Sequence, residues 1–178
     1  KQHVCRPAEC LDRGSEIVLI AGPSSSGKTT FSRRLSVQLL AHGLSPYPLE
    51  LDNYFVQRER TPLGRDGQPD YEAIEALDLQ LLGEHLEKLV SGHSVQLPHY
   101  NFKSGMREEG ETVQLHKGQI LILEGIHGLN PRLLPGPLAG HAYRAYVSAL
   151  TQINLDRHNR VSTTDTRLIR RIVRDARE

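Results

Sequence analysis

The chain of 178 residues is the size of one domain and is long enough to bury a core without disulfides or a structural metal. Hydrophobic residues make up 38% and charged residues 24%, which excludes a disordered or fibrous protein. With a net charge of +1, no bulk attraction to nucleic acid or to a membrane surface is expected. The charge is uneven, however. Residues 157–178 carry seven basic and three acidic side chains, so this end is expected to meet an anion.

The first 15 residues are polar and are predicted to be a linker or tail. They contain Cys5 and Cys10, which lack the second ligand pair of a zinc site and are interpreted as reduced thiols without a structural role. No uncharged apolar run approaches the ~18–20 residues of a membrane span, and the polar residues 1–15 do not have the apolar core expected of a signal peptide. A cytoplasmic protein without a membrane partner is expected.

The first part of the chain predicts a strand, a helix and a second strand. Glu16–Ala21 is a short apolar run, typical of a strand buried on both faces. From Lys28 the apolar residues change to helical spacing, and the predicted helix ends at His42-Gly43. Ser45–Leu51 is predicted as the second strand, although prolines weaken its start. The apolar face of the helix is predicted to consist of Phe31, Leu35, Leu39 and Leu40.

The middle of the chain predicts a loop, a long helix and a hairpin. Val56–Pro69 is charged and rich in Gly and Pro, which is typical of a mobile loop. Val95–Pro98 and Thr112–Leu115 alternate weakly and predict a β-hairpin over about residues 95–115. Between loop and hairpin, a helix is predicted from about Tyr71 to Ser91, with an apolar stripe of Ile74, Leu77, Leu81, Leu82, Leu86, Leu89 and Val90.

The last part of the chain predicts two more strands and a helix. Gln119–Leu123 is a second fully apolar strand, and Arg144–Val147 is a third candidate for the same sheet. From Thr164 onward the pattern is helical, with the arginines predicted to face outward. The residues predicted to face inward are Leu168, Ile169, Ile172 and Val173. This order of elements predicts an α/β fold of three layers with a mainly parallel sheet.

The strongest functional pattern is Gly22-Pro23-Ser24-Ser25-Ser26-Gly27-Lys28-Thr29, which fits G-x₄-G-K-[ST] between a strand and a helix. In such a P-loop, backbone N–H groups and the helix N-terminus face phosphates. Lys28 would reach the β- and γ-phosphates, and the Thr29 hydroxyl would bind Mg²⁺. A Gly/Ser-rich turn with a capping threonine is the alternative. The pattern favours binding of a nucleoside triphosphate.

Two carboxylates follow predicted strands. Glu124 comes after the strand at residues 120–123, where open α/β sheets place ligands, and could hold Mg²⁺. The alternative is a solvated carboxylate. If the second strand lies beside the first, Asp52 would face the γ-phosphate and could accept a proton from an attacking hydroxyl. The alternative is a helix N-cap.

Arginines are concentrated in the C-terminal helix. Arg167, Arg170, Arg171 and Arg174 have spacings of three and four and so share one side of a helix. Arginines that face a transferred phosphate stabilise its developing charge. A solvated basic face is the alternative. The nine histidines show no spacing typical of metal ligands.

Six segments in this order resemble the uridine kinase and phosphoribulokinase branch of the P-loop kinases. They are Gly22–Thr30, Leu51–Phe55, Pro69–Tyr71, Pro98–Phe102, Glu124 with its neighbours at 122–126, and Asp165–Arg171. The run Ser148–Asp156 is similar to a bacterial uridine kinase-like subgroup. In that subgroup the kinase region can follow a domain similar to one in threonyl-tRNA synthetases. The resemblance therefore implies further domains in a longer parent chain, and it is compatible with a homo-oligomer.

Position by position, the resemblance implies roles for individual residues. Asp52 matches the general base for a nucleoside 5′-hydroxyl, Asp70 the acid that binds ribose hydroxyls, and Tyr100 the aromatic residue beside the base. Tyr54 and Arg107 are placed with the acceptor, Glu124 with the magnesium ion, and Arg167 and Arg170 on the phosphates. The expected nucleotide-binding residues are Gly22, Ser24, Ser25, Ser26, Gly27, Lys28, Thr29 and Thr30.

The chain departs from this pattern in two respects. Gly105 stands where uridine–cytidine kinases place a base-contacting histidine, and Asn101 stands where they commonly carry aspartate. Family members also continue past the lid helix with a further strand, so the chain is expected to be cut from a longer protein. Residues 16–178 are predicted to form the kinase domain, with an arginine-rich lid at about 151–178.

The expected function is Mg²⁺–ATP-dependent phosphorylation of the 5′-hydroxyl of a nucleoside or a related ribosyl compound, with no nucleic-acid partner. Two alternatives remain open at this stage. One is a sugar-phosphate kinase of the phosphoribulokinase type, in which Arg58, Arg60 and Arg65 would hold a second phosphate. The other is a nucleotide-sensing domain whose kinase site has decayed.

Overall fold

A computed structural model describes residues 17–134, 136–140, 142–148, 156–158 and 161–176. The predicted tail with Cys5 and Cys10 lies outside the described residues, and so does most of residues 149–160. In chain order the elements are β1 (Ile17–Ala21), α1 (Lys28–Ala41), β2 (Ser45–Glu50), α2 (Leu79–Val90), β3 (Ser94–Asn101), β4 (Met106–Gln114), β5 (Gln119–Gly125), β6 (Ala142–Tyr146) and α3 (Thr163–Asp175). In the parts described, no helix is long and apolar enough to cross a membrane.

The central sheet has four parallel strands in the order β2-β5-β1-β6. The placement of Asp52 was predicted on the condition that the second strand lies beside the first. That condition is not met, because β5 lies between β2 and β1. β5 is apolar and buried along nearly all its length, and it takes a central position as such runs do in parallel sheets. Pro46 and Pro48 lack the N–H that a central strand must donate on both sides, and β2 accordingly lies at the edge.

Alternate residues of the strands face two separate cores, which gives the predicted three layers. Val18 and Ile20 of β1 pack with Leu35 and Leu39 of α1 on one face of the sheet. Ile17 and Leu19 belong to the larger core on the other face. That core contains Leu82, Leu86 and Leu89 of α2, together with side chains of the β3–β4 hairpin. The predicted α/β fold with a mainly parallel sheet is confirmed.

The apolar face predicted for α1 differs from the one in the structure. Of the four residues predicted for this face of α1, Leu35 and Leu39 are buried, whereas Phe31 and Leu40 are exposed because they lie to either side of the line that contacts the sheet. α1 ends as predicted at His42-Gly43, where Gly43 has a positive φ of 76°.

The predicted helix over residues 71–91 begins only at Leu79. Ahead of it the chain forms a short 3₁₀ turn at Ile74–Ala76 and a bridge from Leu77 to Phe55. Ile74 and Leu77 are nevertheless buried in the same core, which explains why the apolar pattern extends beyond the helix. Asp78 is the N-cap, because its side chain accepts a hydrogen bond from the Leu81 N–H at 3.1 Å.

The orientation of α3 is opposite to the prediction. Leu168, Ile169, Ile172 and Val173 are exposed, and arginines face the turn between β1 and α1. Ser162 caps the helix by accepting a hydrogen bond from the Asp165 N–H at 3.0 Å. The arginines turn inward because the nearby turn presents oxygen atoms that accept their hydrogen bonds, as described below.

The N-cap of α2 gives a test of this part of the fold. Asp78 also accepts a hydrogen bond from Arg107 on β4, with Nη1 to Oδ2 at 2.9 Å. Replacing Asp78 with Ala removes the cap, so we expect thermal or denaturant unfolding to show a loss of about 1–2 kcal/mol. The melting temperature should fall by about 3–6 °C. Asp78→Asn keeps an acceptor for Leu81 and is the matched control; an equal loss in both variants would assign the stability to the ion pair instead.

Candidate active site

The turn between β1 and α1 forms a concave backbone surface. Ser25 and Gly27 have positive φ angles of 59° and 99°, and Gly27 is the N-cap of α1. The Ser26 N–H donates to the Pro23 carbonyl at 3.1 Å, which closes the turn. A Cβ on Gly22 would collide with the main-chain carbonyl of Val147, so glycine is required at that position. Successive N–H groups at a helix N-terminus form an anion site, as the sequence pattern predicts.

Lys28 is the first residue of α1, and its side chain folds back over the turn. Its Nζ donates to the Pro23 carbonyl at 3.3 Å. Burial lowers the pKa of Lys28 below its ordinary value, and the carboxylates of Asp52 and Glu124 act in the opposite direction. The ammonium group therefore lies partly out of water between two acids and can move a short distance onto a phosphate.

Thr29 and Glu124 connect α1 to the end of β5. The Thr29 hydroxyl donates to Oε1 of Glu124 at 2.6 Å. Glu124 is only 7% exposed, and its other oxygen, Oε2, is buried without a hydrogen-bond partner among the described residues. Burial raises the pKa of Glu124 above its ordinary value. A buried carboxylate oxygen without a donor, next to a hydroxyl, fits a divalent cation.

The described residues contain no group of three or more His, Cys, Asp or Glu side chains that could hold a metal. The protein would thus supply Thr29 and Glu124 as ligands. Mg²⁺ usually keeps several waters and binds one or two protein ligands plus substrate phosphates, so two protein ligands fit this ion.

Asp52 lies in a short 3₁₀ turn, Leu51–Tyr54, that follows β2. Glu50 at the end of β2 is in register with Glu124 on β5, which brings Asp52 to the same end of the sheet. Asp52 is an exposed residue that lines the cleft described below. Desolvation by the nearby protein raises the pKa of its carboxyl, the positive charge of Lys28 opposes the change, and Glu50 adds to it. Asp52 thus lies at the same end of the sheet as the turn, although β2 and β1 are not neighbours.

Lys28, Thr29, Asp52 and Glu124 line one cleft of ≈ 360 Å³. The complete lining consists of Ser24, Ser25, Gly27, Lys28, Thr29, Thr30, Asp52, Glu124, Gly125, Ile126, Arg170 and Arg174. A cleft with an anion site on one wall and two carboxylates on the other can hold a polyphosphate, a cation and a hydroxyl compound together.

Arginines of α3 cover the turn. Arg167 Nε donates to the Ser24 carbonyl at 3.4 Å, and Arg171 Nη1 approaches the Ser24 hydroxyl at 3.5 Å. Arg170 Nη2 lies 3.3 Å from the point that a Cβ on Gly27 would occupy. Arg174 also lines the cleft; its spacing grouped it with these arginines in the sequence, whereas the resemblance assigned only Arg167 and Arg170 to the phosphates.

Five residues were predicted to bind the acceptor substrate, and four of them do not line this cleft. Tyr54 is fully buried and its hydroxyl pairs with His85 Nδ1 at 3.1 Å. Tyr100 is 2% exposed. Arg107 pairs with Asp78, as described above. Asp70 is partly exposed and accepts a hydrogen bond from the Glu72 N–H at 2.9 Å, which stabilises its own turn. Of the five residues, only Asp52 lines the cleft.

The sequence profile of the Phosphoribulokinase / Uridine kinase family matches residues 17–178. The chain belongs to this family. Its membership agrees with the P-loop, with the carboxylate at the end of β5 and with the arginine helix that the structure brings together. The family is named after two kinases, phosphoribulokinase and uridine kinase.

Several relatives are uridine kinases. The chain is 30% identical over 162 residues to the uridine kinase of Bacillus pumilus (strain SAFR-032), covering 91% of this chain and 68% of that one. It is 29% identical over 159 residues to the uridine kinase of Halobacterium salinarum, covering 89% of this chain and 62% of that one. The chain thus spans roughly two thirds of the length of these relatives.

The fold is also found in solved structures. A structure titled "Structure of a Possible Uridine Kinase from Bacillus stearothermophilus" superposes with a TM-score of 0.60 at 23% identity, covering 78% of this chain and 77% of that one. A kinase structure from Silicibacter sp. TM1040 gives a TM-score of 0.60 at 19% identity, covering 95% of this chain and 82% of that one. At these identities the two structures support the fold alone.

The buried carboxylate of Glu124 gives a second test. In the folded protein its pKa is raised above the ordinary 4.5, so the folded state binds more protons and stability falls as the pH rises through the interval between the two values. Glu124→Gln keeps an acceptor for Thr29 but removes the charge. We expect the ligand-free variant to be about 1 kcal/mol more stable than wild type at pH 7, with the gain vanishing well below pH 4.5.

Denaturant titrations of both proteins across this pH range measure the difference. Glu87→Gln removes an exposed carboxylate of α2 and is the control, for which no comparable gain is expected. If Glu124→Gln were no more stable than wild type at pH 7, the attraction between Glu124 and Lys28 would already offset the cost of burial.

Proposed function

We propose that the protein is a Mg²⁺–ATP-dependent kinase that transfers the γ-phosphoryl group of ATP to the 5′-hydroxyl of a nucleoside. The observation that carries the proposal is the single cleft in which Lys28, Thr29, Asp52 and Glu124 meet. The uridine kinases among the relatives support a nucleoside as the acceptor. An enzyme that consumes ATP in this way would work in the cytoplasm.

Binding of the donor would use the backbone of the turn together with cationic side chains. The N–H groups around Ser24–Thr30 and the N-terminus of α1 would hold the phosphates. Lys28 would leave the Pro23 carbonyl and contact the β- and γ-phosphates. Thr29 and Glu124 would hold Mg²⁺, which when bound supplies positive charge next to the phosphate oxygens.

The acceptor hydroxyl would lie between Asp52 and the γ-phosphate. As its oxygen forms a bond to phosphorus, the bond from phosphorus to the bridging oxygen of the β-phosphate breaks and ADP leaves. The hydroxyl proton passes to Asp52. Because transfer of a phosphoryl group requires little covalent participation by the protein, the rate would depend on position and on charge neutralisation.

The arginines of α3 would neutralise charge on the transferred group. In the ligand-free structure Arg167 and Arg171 contact Ser24, and Arg170 lies over Gly27, so the helix already covers the place where phosphates would bind. Closure of such a helix over a substrate excludes water and limits hydrolysis of ATP. We propose that α3 is the lid and that a bound nucleotide orders it further.

Replacement of Lys28 and Asp52 tests the kinase proposal. We expect Lys28→Ala to lower turnover by about 10³-fold because the phosphates lose a buried cation. Asp52→Asn should lower it by about 10²–10⁴-fold because no base accepts the proton. Release of ADP with a panel of nucleosides and phosphosugars measures both effects. Lys88→Ala, at an exposed position on α2, is the control.

The pH profile of the same reaction distinguishes Asp52 from a passive carboxylate. The pKa of Asp52 is raised above 3.8, and only the deprotonated form accepts a proton. The acidic limb of kcat/KM should therefore lie above that pH. Full activity of Lys28→Ala would contradict the kinase proposal. ADP release that is the same with and without every acceptor would favour a nucleotide-sensing domain.

The lid is tested by Arg170→Ala and Arg167→Ala. If each arginine contacts the phosphoryl group in the transition state, kcat should fall by an amount equivalent to about 2–4 kcal/mol, with little change in nucleoside affinity. Arg34→Ala on the exposed side of α1 is the control. Hydrogen exchange across Thr163–Asp175, with and without a non-hydrolysable ATP analogue, measures ordering directly. Equal exchange in both states would show a fixed basic helix.

A further inference from the structure

Arg58 has an unusual position next to the tip of the β3–β4 hairpin. It begins a short 3₁₀ turn, Arg58–Arg60, in the segment that connects Asp52 with Asp70. Its main-chain N–H donates to the Gly105 carbonyl at 3.0 Å. Its side chain donates from Nη2 to the Phe102 carbonyl at 2.6 Å and from Nε to the Tyr71 hydroxyl at 3.4 Å. Three contacts thus fix one arginine against the hairpin tip.

Gly105 makes room for this arginine. A Cβ at position 105 would lie 2.7 Å from Nε, 2.8 Å from Cζ and 2.9 Å from Cβ of Arg58. Gly105 also has a φ of 72°, which side chains rarely tolerate, and its N–H donates to the Asn101 carbonyl at 2.8 Å. A side chain at this position would therefore displace the guanidinium group.

Four aromatic rings hold the partners of Arg58 in place. Phe55, Tyr71, Tyr100 and Phe102 make edge-to-face contacts with centroid distances of 5.0–6.4 Å. The hydroxyls of Tyr71 and Tyr100 are 3.2 Å apart. Phe55 and Tyr100 are buried, whereas Phe102 is 55% exposed. The cluster therefore holds Tyr71 and Phe102, the hydrogen-bond partners of the guanidinium group, in place. Phe102 also leaves an accessible aromatic surface next to the guanidinium group.

The outer edge of the guanidinium remains available. Arginine has five N–H donors, and the hydrogen bonds to Tyr71 and Phe102 use the edge formed by Nε and Nη2. The edge formed by Nη1 and the second hydrogen of Nη2 has no hydrogen-bond partner in the described part of the chain. Arg58 is exposed, so a ligand can reach this edge. Such a fork donates two parallel hydrogen bonds to two adjacent acceptor atoms.

The local charge favours a neutral ligand over a phosphate. Residues 58–72 carry three arginines and four acidic side chains, and two of the acids, Asp70 and Glu72, flank the Tyr71 that bonds Arg58. A doubly charged phosphate would meet these carboxylates. A planar heterocycle with two adjacent acceptors can accept from the fork and pack against the exposed part of Phe102.

The aromatic cluster follows directly on the turn that carries Asp52, because Phe55 is the residue after Leu51–Tyr54. We propose that Arg58, six residues after Asp52 and fixed against the hairpin tip, determines acceptor specificity by selecting nucleosides whose base presents two adjacent hydrogen-bond acceptors on one edge. Cytosine, with N3 and O2, and guanine, with O6 and N7, have such an edge. Uracil places the N3–H donor between its two carbonyls, and adenine places an amino group beside N7. This inference rests on the proposed nucleoside kinase function.

The test compares binding and turnover of cytidine, guanosine, uridine and adenosine. Calorimetry with wild type should show about tenfold tighter binding of cytidine or guanosine than of uridine and adenosine. Arg58→Met keeps the aliphatic stem and should abolish the preference, and Arg58→Lys should lose most of it because an ammonium has no fork. Gly105→Ala should have the same effect by displacing Arg58. Which of the two favoured nucleosides binds tighter identifies the base.

The control variant is Arg65→Met, which removes an exposed arginine from the same loop and should leave the preference unchanged. Affinity for an ATP analogue should match wild type in all four variants, and the melting temperature should match it in the three arginine variants, which excludes misfolding. Gly105→Ala should melt lower than wild type because a side chain is strained at a φ of 72°. A preference retained in Arg58→Met, or absent in wild type, would overturn the inference. Competition by inorganic phosphate that disappears in Arg58→Met would also overturn it, because the fork would then bind an anion.

Failure of the inference can be separated from failure of the proposed function. If nucleosides are phosphorylated but the preference does not depend on Arg58, the kinase proposal stands and the inference is wrong. If nucleosides bind with the Arg58-dependent preference but none is phosphorylated, the assigned reaction is wrong while the recognition by Arg58 stands. If no nucleoside binds, both are wrong.

Discussion

The hydrogen bond from Thr29 to Glu124 connects the two parts of the molecule on which the site depends. Thr29 lies in the first turn of α1, directly after the phosphate-binding turn, and Glu124 lies near the end of the most buried strand. Glu124 is held there although burial penalises its charge and one of its oxygens is unpaired among the described residues. A fold optimised only for stability would bury a neutral residue at this point. Oε2 of Glu124 thus lacks a hydrogen-bond partner among the described residues, and a bound cation would supply one.

Glu124, Asp52 and Lys28 meet at the same end of the sheet, and the order of the strands determines their arrangement. β5 lies between β1 and β2, so Glu124 occupies the middle of the cleft, with the phosphate turn on one side and Asp52 on the other. Lys28 interacts electrostatically with both carboxylates and lowers the pKa of each, while Asp52 acts to raise the pKa of Glu124. Removal of the Lys28 charge therefore changes the proton affinity of both acids.

Local patterns predicted the features that depend on adjacent residues. The turn between β1 and α1, the C-terminal end of α1 and the apolar strand before Glu124 follow from residue types within a few positions, and all three are present. The order of the strands was not available from such patterns. The sequence placed Asp52 in the cleft on the condition that β2 lies beside β1, and the structure reaches the same placement through a register with β5.

The orientation of a helix and the burial of a side chain depend on which surface lies nearby. Sequence patterns alone therefore placed several residues incorrectly. The spacing of Leu168, Ile169 and Ile172 is that of a core-facing helix, but Arg167 and Arg171 of α3 face a turn that presents backbone and hydroxyl oxygens, which attract arginines. Tyr54 and Tyr100 belong to segments that resemble family motifs, yet burial places both rings behind the cleft. Arg58 belongs to no motif, and its position next to Gly105 depends on contact between residues far apart in the chain.

The two prolines of β2 have a consequence for how these molecules meet one another. β2 forms one edge of the sheet, and an exposed edge is a template onto which a strand of a second molecule can add. Pro46 and Pro48 remove two donors from this six-residue strand, which leaves few hydrogen bonds for an incoming strand. The residues that keep β2 out of the middle of the sheet therefore also make this edge a poor template for a strand of a second molecule.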